Sequence, residues 1–171
     1  TRCAPHWACL RLTPVSKPKT EVSLRVRAMR YLARREHSRA ELHSKLLPYV
    51  QDGEDVEAVL DELAQRNWLS DARAAEQMVT QRRSRYGSQR IAHELRQKGI
   101  GEELIAGALP QLKASELEAA REVWSKKFGQ PAQDQKERAR QARFLQSRGF
   151  SMDAILKVLK NAAVNDTDSG G

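Results

Sequence analysis

Cysteine is almost missing from this chain: 171 residues hold two, Cys3 and Cys9, both within the first ten positions. The remainder has no disulfide framework, which fits a reducing, cytoplasmic location. Long apolar runs are missing too. None approaches the ~20 residues that a membrane-spanning helix needs, and residues 1–20 lack the continuous apolar centre of a secretory signal. Those residues hold Pro5, Pro14 and Pro18 without a helical period, so 1–21 read as a mobile arm. Acidic residues are the minority, 22 against 30 Lys and Arg, for a formal charge of +8. That balance favours polyanionic partners: nucleic acid, a nucleoprotein, an acidic protein surface or an anionic membrane.

Chemistry-bearing constellations are also absent. Cys3, His6 and Cys9 offer three soft ligands, short of the four that a closed zinc site takes. His93-Glu94 begins like a zinc-protease helix, but Gln97 stands where the second histidine belongs. There is no glycine-rich phosphate loop followed by Lys-Ser/Thr, and Ser38 with His43 lacks a nucleophile elbow and a third member. No catalytic residue, metal or cofactor is assigned. His37, His43 and His93 read as polar surface or boundary residues, and Trp68 and Trp124 as packing rather than base-stacking side chains.

What is present is repetition. Leu95, Lys98-Gly99-Ile100, Ile105, Leu109 returns as Leu145, Arg148-Gly149-Phe150, Ile155, Leu159. In each, an apolar helix ends in a basic residue, glycine supplies a left-handed turn, and a second amphipathic helix begins. Ala28, Tyr31, Leu32, Arg35 matches Ala75, Met78, Val79, Arg82 and Ala120, Val123, Trp124, Lys127, one helix face each time. These matches predict an all-α, elongated array of three tandem three-helix repeats: 22–69, 70–113 and 114–162, then a flexible tail over 163–171. Helices are expected near 22–35, 38–48 and 54–66; 71–85, 88–98 and 102–112; 115–128, 134–148 and 151–161. Ser38 with Glu41, Ser115 with Glu118 and Asp134 with Glu137 have capping-box spacing, and Ser151 is a good N-cap. Each unit alone would be marginal, so neighbours are expected to share a continuous core. An open-ended array needs no dimer, and a monomer is expected.

Charge is distributed unevenly along the repeats. Acidic residues crowd the third helix of the first unit (Asp52, Glu54, Asp55, Glu57, Asp61, Glu62), and that of the second opens with Glu102 and Glu103. Basic residues gather on first and second helices instead. A helix-turn-helix repressor reads the major groove with its final helix, so sequence-specific DNA recognition is disfavoured, though basic faces could still meet phosphates. Lys136, Arg140 and Arg143, at offsets of 0, 4 and 7, form one positive stripe. Individual arginines could simply pair with Glu36, Glu41, Glu94 or Glu122 on a solvated surface. As a clustered set, Arg82, Arg83, Arg85, Lys98, Lys136, Arg140 and Arg143 are the candidate partner- and phosphate-binding residues.

The central segment, Trp68-Leu69, Asp71, Arg73, Ala75, then Gly87, Ile91, Glu94, Leu95, Lys98-Gly99-Ile100, resembles the RecX family of bacterial recombination regulators. Arg148-Gly149-Phe150-Ser151 matches that family's later repeat, and the resemblance covers roughly 22–162. Two positions depart from the pattern. Asn67 stands where glycine usually precedes the aromatic, a mild change. Ala74 stands where an aromatic is common, and Trp68 is expected to fill the lost volume. The resemblance implies a non-enzymatic modulator that lodges in the groove of the RecA–DNA filament and inhibits ATP hydrolysis, strand exchange and co-protease activity. It also implies blocked filament extension and net disassembly. An autonomous helix-turn-helix transcriptional regulator is the alternative.

Overall fold

A computed structural model describes residues 22–167 apart from 52. The expected arm over 1–21, including Cys3, His6 and Cys9, and residues 168–171 lie outside that range. Among the described residues there are eight α-helices and no strand. They are α1 (Leu24–Leu32), α2 (Arg39–Leu46, followed by a 3-10 turn), α3 (Val56–Gln65), α4 (Asp71–Arg82), α5 (Ser88–Gln97), α6 (Glu102–Lys127), α7 (Gln135–Ser147) and α8 (Met152–Thr167).

The helix starts follow from local capping chemistry. Ser38 Oγ accepts from Glu41 N at 3.1 Å, Ser70 Oγ from Arg73 N at 3.3 Å, and Asp134 Oδ1 from Glu137 N at 2.6 Å. Neither expected capping box closes in its usual form. The Glu41 carboxylate turns to Arg35 and Lys98, while Glu137 accepts from Gln133 N at 3.2 Å rather than from Asp134 N.

The third expected capping box is overturned. Ser115 starts no helix, because α6 runs unbroken across the boundary placed at 113/114. Leu112, Glu116, Ala119, Ala120 and Trp124 form one buried stripe along it, so continuing the helix keeps all five inward. Ser115 Oγ instead donates back to the carbonyls of Gln111 at 3.2 Å and Leu112 at 3.3 Å. Pro110 deprives the Ala106 carbonyl of its helical donor. Both residues are exposed, where water can take that carbonyl.

Packing is strongest within α1–α3, within α4–α6 and within α6–α8, as expected of a tandem array. The core, however, is not continuous. Leu24, Ala28, Leu42, Leu46, Leu60 and Leu63 centre one cluster. Ile91, Leu95, Ile100 and Ile105 centre a second, and Trp124, Leu145, Phe150, Ile155 and Val158 a third. Between clusters the contacts are polar. Asp71 Oδ1 accepts from the backbone N–H of Arg39 at 2.7 Å, and Ser38 Oγ donates to the Lys98 carbonyl. One repeat later, Gly87 N donates to the Arg148 carbonyl at 3.0 Å. The C-terminus of α5 therefore abuts the start of α2, and that of α7 abuts the start of α5, an arrangement that opposes negative to positive helix ends.

These junctions leave no room for side chains. Gly149 has φ +79°, and a Cβ there would lie 2.4 Å from the Cβ of Arg90. Gly99, at φ +71°, stands equally close to Ala40 Cβ.

Two further expectations fail. Trp68 does not fill the space beside Ala74: it is 41% exposed, with Arg66 lying 5.2 Å over its ring. Ala74 instead lines an open cleft of about 250 Å³ between the first two repeats. His37 is no surface residue. It is 3% exposed, its Nδ1 lies 2.9 Å from the Arg35 carbonyl, and burial lowers its pKa.

Candidate functional site

Ion pairing determines which of the many cations remain available. Of the four carboxylates expected to neutralise arginines, Glu36, Glu41 and Glu94 do so, and Glu122 pairs with a lysine instead. Glu36 meets Arg73 Nε at 2.9 Å, Glu41 meets Arg35 and Lys98, Glu94 meets Arg82 and Arg90, and Glu122 meets Lys126 at 3.2 Å. Acidic α3 adds to this in the first repeat, where Arg39 bonds Glu57 and Asp61, and Arg25 and Arg66 share Glu62. Across 22–69 the eight Lys and Arg are matched by eight Asp and Glu; across 114–162 ten face six. Across 70–113 eight face five, so the positive field belongs to the second and third repeats.

The seven candidate residues fall into three places. Lys98 caps the C-terminus of α5 at the first junction, its Nζ 2.7 Å from Glu41 Oε1. Burial alone would push the Glu41 pKa up, but the hydrogen bonds from Arg35 and Lys98 outweigh it and hold the carboxyl at about 2. Lys98 is thus committed to the joint, where Arg82 lines the same cleft.

Arg82, Arg83 and Arg85 lie at the end of α4 and in the turn after it. Arg82 Nε is 3.4 Å from Glu94 Oε2, and its guanidinium lies 5.5 Å from the Tyr86 ring centre. Arg83 is exposed beside the α4–α6 groove. Arg85 lines a cleft with Lys126, Lys127, Phe144 and Arg148.

Lys136, Arg140 and Arg143 share one side of α7, all exposed and with no ion pair among the described residues. At 1.5 Å rise per residue they span about 10 Å of helix axis. They do form a stripe, whereas Arg148, at the helix's C-cap, is half-buried and lies about 120° around the helix from Lys136.

Sequence reasoning passed over Lys126, Lys127, Phe144 and Arg148 as a group. Lys127 did carry a signal. It occupies the repeat position of Arg35 and Arg82, and those two are neutralised by Glu41 and Glu94 while Lys127 has no ion pair among the described residues.

In the recognisable central motif the apolar residues Ala75, Ile91, Leu95 and Ile100 are core, and the polar Asp71 and Arg73 are joints. Asp71 caps α2 from the next repeat, and Arg73 ties Glu36 to the Asn67 carbonyl and side chain, both at 3.0 Å. Asn67 takes φ +57°, as a glycine substitute should. Among the described residues no cluster of three or more His, Cys, Asp or Glu could hold a metal, and no helix is long and apolar enough to cross a membrane.

Three family models match in tandem: RecX, first three-helix domain, at 25–63; second, at 70–109; third, at 114–159. Regulatory protein RecX of Leptothrix cholodnii is 49% identical over 144 residues, 84% of this chain and 92% of that protein. Its counterpart in Ralstonia nicotianae is 45% identical over 145 residues, 85% of this chain and 91% of that one. The crystal structure of RecX from Lactobacillus salivarius superposes with a TM-score of 0.70 at 18% identity, over 84% of this chain and 97% of that one, and supports the fold. With its three helical triplets, each matched in order, the chain belongs to the RecX family of regulatory proteins.

Proposed function

We propose that this protein regulates the RecA recombinase without catalysing a reaction itself. In this reading it binds the RecA–DNA filament, inhibits ATP hydrolysis, strand exchange and co-protease activity, and so modulates DNA repair and the SOS response. The α7 stripe carries the proposal. Lys136, Arg140 and Arg143 stand exposed on a convex helix face with no ion pair among the described residues, suited to the phosphate backbone or to acidic protein surface. Several weak contacts on a jointed scaffold act together, because each raises the effective concentration of the next. Seated along a groove, such an array excludes a second duplex by overlap and hinders relative motion of neighbouring subunits.

The transcriptional alternative draws less support. Glu57 and Asp61 lie exposed on α3, where a groove-reading final helix would need neutral or basic side chains.

Co-sedimentation with preformed RecA filaments, beside free RecA and naked DNA, tests the reading together with RecA ATPase rates. Preferential binding to the filament and a lowered rate are expected. Equal affinity for naked random DNA, with no effect on hydrolysis, would overturn it.

A further inference from the structure

Between the second and third repeats lies a concave cleft of about 480 Å³, lined by Ser84, Arg85, Val123, Lys126, Lys127, Phe144 and Arg148. Three elements build it: the turn after α4, the C-terminal end of α6 and the last turn of α7. We infer that this cleft is a docking site for an acidic peptide segment carrying an apolar side chain, presented by a partner protein. The inference rests on the reading above only for which protein supplies that segment.

Charge complementarity is the first ground. Four cations line the cleft, and among the described residues their one ion pair is that of Lys126 with Glu122 at 3.2 Å, an exposed i,i+4 pair that is readily exchanged. Preorganisation is the second. The Arg148 guanidinium is held 5.4 Å from the Tyr86 ring centre and 5.2 Å from that of Phe144, so a carboxylate meets a donor already ordered by two rings. The third is the floor. Val123 and Phe144 are half-buried there, and Phe144 is braced by Phe128 at 5.3 Å and 89°. An apolar peptide side chain gains from that floor, whereas a phosphodiester does not.

Single-stranded nucleic acid fits less well. Its affinity for such a groove would come from bases stacking on an aromatic ring. Phe144 is the one aromatic among the residues lining the cleft, so successive bases find no run of rings to stack on. A rigid duplex would meet the convex stripe of α7 more readily than a recess behind it.

The test uses the full chain and a fluorescein-labelled peptide of Asp and Glu around a central Leu, followed by anisotropy. Saturable binding is expected. The K126E/K127E variant should weaken it roughly tenfold, R85E should weaken it less, and K136E/R140E should leave it within about twofold. Replacing the central Leu of the peptide by Ala should weaken it roughly fivefold. Thermal unfolding of each variant separates lost binding from lost folding, and R85E, on an exposed turn, stands as the variant least tied to packing. Binding indifferent to both the central Leu and the cleft reversals would overturn the inference. So would an unlabelled oligothymidylate that displaces the peptide and itself loses affinity in K126E/K127E. Absence of peptide binding in a sample that still inhibits RecA would remove the docking site and leave the proposed function standing. Peptide binding with the expected dependences in a sample inert toward RecA would support the site and remove that function.

Discussion

Glu116 Oε1 accepts two hydrogen bonds from Ser88, one from its backbone N–H and one from its hydroxyl, each at 3.0 Å. Helix α5 begins after Gly87, which has no side chain to cap it, and the cap arrives from α6. The same carboxylate reaches Ser151, taking the N–H at 3.3 Å and the hydroxyl at 2.8 Å at the start of α8. Asp71, at the equivalent position of the preceding repeat, does the same for Arg39 N. A carboxylate on each first helix thus closes the second helix of the repeat before it.

Glu116→Ala should therefore be among the most damaging polar substitutions in the molecule. Glu116 is 6% exposed, and its loss strands donors at two helix starts. Orphaned buried donors and lost caps together predict a loss of about 2–4 kcal/mol. Glu116→Gln, which keeps one oxygen acceptor, should lose about half as much. Urea unfolding of the three proteins measures the order; equal stability of Glu116→Ala and the parent would refute it.

The sequence made the repeats legible because they rest on local signals: apolar residues at offsets of 3 and 4, and a basic–glycine–apolar stop. The joints between repeats were not legible. Asp71 to Arg39 and Glu116 to Ser88 are separated by 32 and 28 residues, and nothing in a helical period indicates which carboxylate points at which helix start. The same blindness placed a break at Ser115. Its capping signature is local, whereas the buried stripe through Leu112 and Glu116 is dictated by the neighbouring helices. The α7 stripe could be read from spacing alone. Lys98 could not be separated from it, because its partner Glu41 lies 57 residues away.

Gly87 tests how tightly the second junction closes. Its φ is ordinary, so helical strain is not at issue. A Cβ at this position would lie 2.1 Å from the Gly149 carbonyl oxygen, a backbone atom that cannot swing aside. Gly87→Ala should separate the α5 and α7 ends, breaking the 3.0 Å bond from Gly87 N to the Arg148 carbonyl, and destabilise by about 2–3 kcal/mol. Gly53→Ala is the control: its φ is +87°, but nothing lies within 4 Å, so only the left-handed strain of about 1 kcal/mol remains. Thermal melts in parallel should rank Gly87→Ala well below Gly53→Ala.

Acid should loosen the first junction through Glu41. Its folded pKa of about 2 lies below the usual 4.5, so the folded state favours the ionised form. The stability this provides is complete above about pH 4.5 and is lost as pH falls toward 2. The parent should therefore exceed Glu41→Gln in urea midpoint at pH 7, and the gap should close progressively between pH 4.5 and 2. A gap that stays constant across that window would show that the pairing with Arg35 and Lys98 contributes nothing.

Charge reversal separates scaffold cations from surface cations. Lys98→Glu would set a carboxylate beside Glu41, where the ammonium now sits at 2.7 Å, so it should lower stability and, with it, any inhibition of RecA. The triple reversal of Lys136, Arg140 and Arg143 touches no ion pair among the described residues, and exposed sites of this kind usually shift stability by under about 0.5 kcal/mol each. Its melting temperature should stay close to that of the parent while inhibition of RecA ATPase falls by roughly tenfold or more in half-effective concentration, increasingly so at low salt. Circular dichroism melts and ATPase titrations on the same preparations give both readouts. If the triple variant inhibits as strongly as the parent while remaining folded, the α7 stripe is a solvated face and the contact lies elsewhere on the array.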